Sequence, residues 1–279
     1  MSAPTSKAAV YNRVPSVTTD FWLIKLMAVT MGETAADYLN VQMGLGLTAT
    51  SLIMSAILAG ALAWQFAQKK YVPASYWLSV VLISIVGTLI TDNLVDNFYV
   101  PLLDTTIVFS VALALTFLLW FRADGTLSIH SIYTGRREAF YWLAILFTFA
   151  LGTAAGDLVA EKFALGYLAT GVLFGMIIVS LSIGYFFLGL DAILGFWLVY
   201  ILTRPLGASF GDLMSQPAEY GGFGLGTIIT SAIFLAAIVA IVIFMSVRHE
   251  GEELATIDEN EKLAKAHGSQ RLTVAEEEF

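Results

Sequence analysis

Apolar residues run along this chain in long blocks separated by short polar links. The blocks fall near residues 20–40, 44–66, 75–95, 101–121, 139–159, 164–187, 191–213 and 224–247. About twenty apolar residues at ~1.5 Å each cross the ~30 Å hydrocarbon core of a bilayer, so each block predicts one spanning helix. A membrane barrel would need segments of about ten residues that alternate polar with apolar. These blocks are longer and do not alternate, so the pattern predicts an all-α integral membrane protein with eight transmembrane helices.

Within alternate blocks one phrase recurs: G-E-T-A-A-D (32–37), G-T-L-I-T-D (87–92), G-T-A-A-G-D (152–157) and G-A-S-F-G-D (207–212). Trp22, Trp77, Trp142 and Trp197 each stand fifteen positions before Asp37, Asp92, Asp157 and Asp212, and each follows another aromatic residue. The aspartates are spaced by 55, 65 and 55 positions. Equal outer intervals predict a two-span unit that was duplicated and duplicated again. The expected architecture is four parallel pseudo-symmetric helical hairpins, at about 20–66, 75–121, 139–187 and 191–247, around an axis along the membrane normal. Residues 1–19 form a polar leader, 20–247 a single membrane domain, and 248–279 an acidic tail.

Composition supports this picture. The chain is 58% hydrophobic and 13% charged, too apolar for a soluble domain. Its net charge of −8 comes mostly from the tail and does not suggest a nucleic-acid partner. The absence of cysteine excludes disulfides, thiolate metal sites and thiol nucleophiles. The leader lacks the apolar core and cleavage site of a signal peptide. Lys7, Arg13, Lys69, Lys70, Arg122, Arg136, Arg137 and Arg248 fall on one side of the expected membrane and only Lys162 on the other, which predicts cytoplasmic termini.

The intramembrane acids are the candidate chemistry. An aspartate at a span centre costs roughly 2.5–3.5 kcal/mol on insertion, so four at one depth, about 22 Å beyond the tryptophans, point to a polar site near the axis. The alternative is that each aspartate caps a short helix after a break at the glycine. Glu33 with Asp37, Asp92 with Asp96, and Asp157 with Glu161 are four apart and share a face if the helix runs on. Thr88 and Thr153 add hydroxyls to that face. Such oxygens suit Mg²⁺, Ca²⁺ or Mn²⁺, or paired carboxylates can share a proton. Gly32, Gly87, Gly152 and Gly207, with Gly156 and Gly211 four residues beyond two of them, read as small-x-x-x-small helix packing. The tryptophans read as an interfacial belt, with an aromatic gate as the sharper alternative. Lys25 is expected to snorkel to the cytoplasmic surface. Arg204, near mid-membrane and just before a helix-kinking Pro205, requires a carboxylate, and a repeated aspartate is the candidate. His130, His249 and His267 have no metal-ligand spacing.

The four two-span repeats, with R-R-E-A-F-Y-W (136–142), G-T-A-A-G-D and T-R-P-L-G-A-S-F-G-D (203–212), resemble a family of bacterial membrane proteins described as repeats of unknown function, over about residues 14 to 247. The resemblance implies a multi-pass inner-membrane protein and brings no substrate. No nucleotide loop, placed nucleophile or zinc motif is present, so an enzyme is not expected. The residues point to transport of a small cation, with a divalent metal as the first candidate and proton coupling as an option. No resident cofactor is expected beyond a bound Mn, Mg or Ca ion. A scaffold or sensor that recruits a cytoplasmic partner through its acidic tail is the alternative. Transport of a small organic solute is a weaker one.

Overall fold

The computed structural model describes residues 12–248. Lys7, His249, His267 and the acidic tail beyond Arg248 lie outside the described residues. Long helices follow one another: α1 (Thr19–Asp37), α2 (Leu47–Ala67), α3 (Pro73–Asp92), α4 (Leu102–Asp124), α5 (Gly135–Asp157), α6 (Tyr167–Leu188), α7 (Ala192–Ser215) and α8 (Thr227–Arg248). No strand occurs among the described residues. Seven of these helices, some extended by a following turn, are long and apolar enough to cross a membrane. The exception is α1, which carries Asp20, Lys25, Glu33 and Asp37. The chain is a multi-pass membrane protein.

Local chemistry sets the helix ends. Thr18, Thr134 and Asp191 accept backbone N–H groups at the starts of α1, α5 and α7, satisfying donors that the first turn leaves free. Pro73 opens α3, where its missing N–H costs nothing. Gly125 and Gly189 close α4 and α6 in the left-handed conformation. α7 runs unbroken through Pro205.

Packing divides the helices into an inner and an outer set. α1, α3, α5 and α7 contact one another in a ring, in the order α1–α3–α5–α7–α1. The most apolar stretches of α3, α5 and α7 are 72%, 61% and 50% buried, against 28%, 22%, 6% and 11% for α2, α4, α6 and α8. The outer helices therefore present their apolar side chains outward, as lipid contact requires. The expected hairpins are not the packing units: α2 packs on α3, α4 on α5 and α6 on α7, each across a repeat boundary. Thr34 of α1 and Ser231 of α8 share a hydrogen bond of 2.7 Å, joining the first and last of the described helices.

Glycines hold the ring together. A Cβ on Gly32 would lie 2.5 Å from Ser84 Cβ, on Gly87 2.8 Å from Phe149 Cβ, on Gly152 2.4 Å from Arg204 Cβ, and on Gly207 2.9 Å from Val29 Cβ. Each contact joins a glycine five positions before one aspartate to a residue eight positions before the next, and the fourth closes the circuit. Gly211 and Gly156 are less crowded, with nearest contacts of 3.1 and 3.4 Å. The small-residue packing expected from the sequence is the contact the helices make.

Candidate functional site

The inner ring is polar along its axis, and the polar groups occur in layers one helical turn apart. Four turns before the aspartates lies an aromatic collar. Phe21 meets Trp77 at 5.6 Å between ring centroids, Tyr76 meets Trp142 at 5.4 Å, Tyr141 meets Trp197 at 6.2 Å, and Phe196 meets Trp22 at 5.6 Å. The hydroxyls of Tyr76 and Tyr141 share a hydrogen bond of 2.5 Å. Trp77, Trp142 and Trp197 are buried, and Trp22 is partly so. The tryptophans expected to form an interfacial belt are turned inward: in each repeat the tryptophan and the aromatic before it bridge neighbouring inner helices.

Three turns before the aspartates sits Lys25, which is 1% exposed. Its Nζ donates to Tyr200 O at 2.8 Å and to Thr203 Oγ1, and it lies 3.8 Å from the centre of the Tyr200 ring. The expectation that it snorkels to the surface is wrong, because α7 offers oxygens and an aromatic face inside the ring. A buried ammonium needs such partners.

One turn before the aspartates, three repeats converge. Glu33, Thr88 and Thr153 each stand four positions before their aspartate, and the guanidinium of Arg204 reaches all three. Arg204 Nη2 is 2.8 Å from Glu33 Oε2 and 2.8 Å from Thr153 Oγ1, and it also bonds Thr88 Oγ1. Its two protons are shared among three oxygens. Thr88 Oγ1 lies 3.2 Å from Glu33 Oε2 and can donate to it. Arg204 is 0% and Glu33 6% exposed, so this is a buried ion pair at the meeting point of four helices. Arg204 does have an intramembrane carboxylate, as the sequence requires. It is Glu33 rather than a repeated aspartate, because Glu33 faces the axis at the level the guanidinium reaches.

Asp37, Asp92, Asp157 and Asp212 come last. The first three are half-buried and Asp212 is buried. They are near enough to act on one another: Asp37 and Asp157 both bear on Asp212, and Asp37, Asp157 and Glu33 bear on Asp92. They do not cap short helices. Each of the first three has α-helical backbone, makes no capping hydrogen bond and leads into one turn of π-helix, at Tyr38–Gln42, Asn93–Asn97 and Leu158–Lys162. In the wider turn Asp96 and Glu161 are exposed while Asp92 and Asp157, four positions earlier, are half-buried. Asn93 is drawn inward, donating to Leu47 O at 3.1 Å and Ser51 Oγ at 2.5 Å, both in α2. Among the described residues no three of His, Cys, Asp and Glu gather closely enough to hold a metal ion. The aspartates and Glu33 do not form the divalent cage that the sequence suggested.

Two cavities, of about 530 and 600 Å³, lie beside the 127–130 link and between α4 and α7. Neither is lined by Arg204 or a repeated aspartate.

A second buried acid was not assigned a role from the sequence. Glu138 Oε2 accepts from Arg13 Nη1 at 2.7 Å, and its Oε1 accepts from Gln65 Nε2 at 3.0 Å and Trp142 Nε1 at 3.4 Å. Asn12 and Arg13 also hydrogen-bond the 129–132 link, tying the leader across the collar end. The available signal was an acid one turn before Trp142. Tyr71, outside the spans, accepts from Trp77 Nε1 at 3.2 Å, and burial pushes its phenol pKa above the ordinary value.

The circuits of equivalent contacts follow the sequence repeat, and one family profile matches all four copies, at residues 21–71, 75–126, 140–189 and 195–250. The chain belongs to the Repeat of Unknown Function (DUF347) family. The four DUF347 matches contain all the layers described, from collar to aspartates. Within a DUF347 repeat, the aromatic pair, the glycine and the aspartate are what each copy contributes to the ring, while Glu33, Lys25 and Arg204 are departures by single copies. Neither a curated protein nor a solved structure matches the chain.

Proposed function

We propose that this protein carries a small cation across the bacterial inner membrane along the axis of the inner ring, with eight spans, pseudo-fourfold repeats and cytoplasmic termini. The supporting observation is the buried Arg204–Glu33 pair, held by hydroxyls from two further helices and followed one turn on by an aspartate from each repeat. A buried ion pair contributes little net stability against an apolar replacement, so its presence on the axis favours a working role. The aspartates provide an entry for positive charge, and the aromatic collar closes the opposite end. The collar rings pack against one another between neighbouring helices, which favours a carrier that changes conformation over an open pore. The donor set favours a proton or monovalent ion over a divalent metal, since no three ligating groups are gathered. No chemistry beyond translocation is assigned.

The test is flux into vesicles containing the purified chain, with protons, Na⁺, K⁺, Mn²⁺, Mg²⁺ and Ca²⁺ offered separately. Asp37→Asn, Asp92→Asn, Asp157→Asn and Asp212→Asn should each reduce flux of the transported ion at least tenfold while the protein stays folded. No flux of any ion in the unaltered protein would remove the proposal. Stability changes without flux would favour a scaffold.

A further inference from the structure

We infer that Nη2 of Arg204 occupies the seat of a monovalent cation. The oxygens of Glu33, Thr88 and Thr153 form a site for a proton, Na⁺ or K⁺ that the guanidinium fills when no ion is bound. This rests on the transport reading and narrows it.

The first argument is positional. Glu33, Thr88 and Thr153 are the same repeat position on α1, α3 and α5, and each places an oxygen within reach of one point on the axis. The fourth copy has Ala208 at that position and supplies no oxygen. It sends a charged nitrogen from one turn earlier instead. Three oxygens around one positive group is what a hard cation requires.

The second argument is charge. The seat has one carboxylate, so a guanidinium or one monovalent ion neutralises it. A divalent ion would leave a net positive charge buried between helices, at a cost of several kcal/mol.

The third is that Arg204 is incompletely satisfied where it sits. Its Nε and Nη1 are buried without a hydrogen-bond partner, as is Ser84 Oγ. A purely structural guanidinium would be expected to use more of its donors. Its stem is clamped, because a Cβ on Gly152 would lie 2.2 Å from Arg204 Cγ, so only the distal part can swing. An alternative partner is near: the charge of Arg204 acts on Asp157, one turn further out on α5.

The sequence of events follows. A proton or metal ion entering past the aspartates binds Glu33, cancels its charge and frees Arg204 to turn toward Asp157. The groups bearing on Glu33 are Asp37 on α1, Asp92 on α3, Asp157 on α5 with Glu161 in the turn after it, and Arg204 and Asp212 on α7, while Lys25 on α1 bears on Arg204. Lys25 is already held by Tyr200 and Thr203 and does not compete for the seat.

The experiment measures thermal stability of the purified full-length Arg204→Met protein in Na⁺, K⁺ or choline at constant ionic strength and across pH. Emptying the seat should let Na⁺, K⁺ or acid raise Tm by about 5–10 °C near a hundredfold excess over Kd, with no effect of choline. Arg204→Met combined with Glu33→Gln should lose that shift, and Arg204→Lys, whose ammonium refills the seat, should show none. Arg204→Gln keeps a hydrogen-bonding side chain and takes the place of Arg204→Met if the latter does not fold. A seat-emptied protein indifferent to Na⁺, K⁺ and pH, or a shift that survives Glu33→Gln, would each overturn the inference. Flux without the ion-dependent shift removes the seat and keeps the transport reading. A shift without flux does the reverse.

Discussion

Replacing the four ring glycines by alanine one at a time tests the packing that brings the axial groups together. At Gly32, Gly87, Gly152 and Gly207 the new Cβ would fall between 2.0 and 2.8 Å from its nearest neighbour. At Gly32 it would strike Ser84 Oγ at 2.0 Å and at Gly152 Arg204 Cγ at 2.2 Å. The crowded groups also include Cβ atoms, which move only if a helix moves. Forcing one methyl into a packed interior costs about 1–3 kcal/mol. Alanine recovers about 0.5–1 kcal/mol over glycine in a helix interior. The net expected loss is roughly 0.5–2 kcal/mol at each site, a Tm fall of about 1–8 °C. Gly60 in α2 is the internal control, since a Cβ there meets nothing within 4 Å and Gly60→Ala should be neutral or mildly stabilising. Thermal unfolding in one detergent compares all five variants. If the four ring variants are as silent as Gly60→Ala, the helices are not in the contact described.

Tyr76→Phe or Tyr141→Phe alone strands the other hydroxyl in a buried site and should cost about 1–3 kcal/mol. The double change removes both and should recover most of that loss in the same melts. Glu138→Ala leaves Arg13, Gln65 and Trp142 without their shared acceptor and should destabilise more than Arg13→Ala, because Arg13 is partly exposed and Glu138 is not. Equal melting losses would contradict this. A reporter active only outside the cytoplasm, fused after Val247, should be silent if the basic links are cytoplasmic. Activity there would invert the proposed orientation.

The helices were legible because length and hydropathy determine a span: the blocks at 44–66 and 224–247 became Leu47–Ala67 and Thr227–Arg248. The ring glycines and the carboxylate requirement of Arg204 were legible too, since a repeated small residue and a buried charge each demand a particular neighbour. What sequence spacing does not encode is which face turns inward. The tryptophans therefore read as a belt, and Lys25, whose partners lie some 175 residues away, read as a snorkelling surface group. The π-helical turn after three aspartates leaves no signature in residue type, so the exposure of Asp96 and Glu161 beside half-buried aspartates was not legible.

The crossing of repeat boundaries bears on how the protein is made. α1 is made before the other described helices and carries four charged residues, Asp20, Lys25, Glu33 and Asp37. Its Glu33 waits for Arg204, its Lys25 for Thr203, and its Thr34 for Ser231. Until α7 and α8 have been synthesised, the first helix has neither its counter-ions nor its outer neighbour. Assembly around α1 therefore waits for the last two described helices, and a truncation that removes α7 or α8 should harm α1 most.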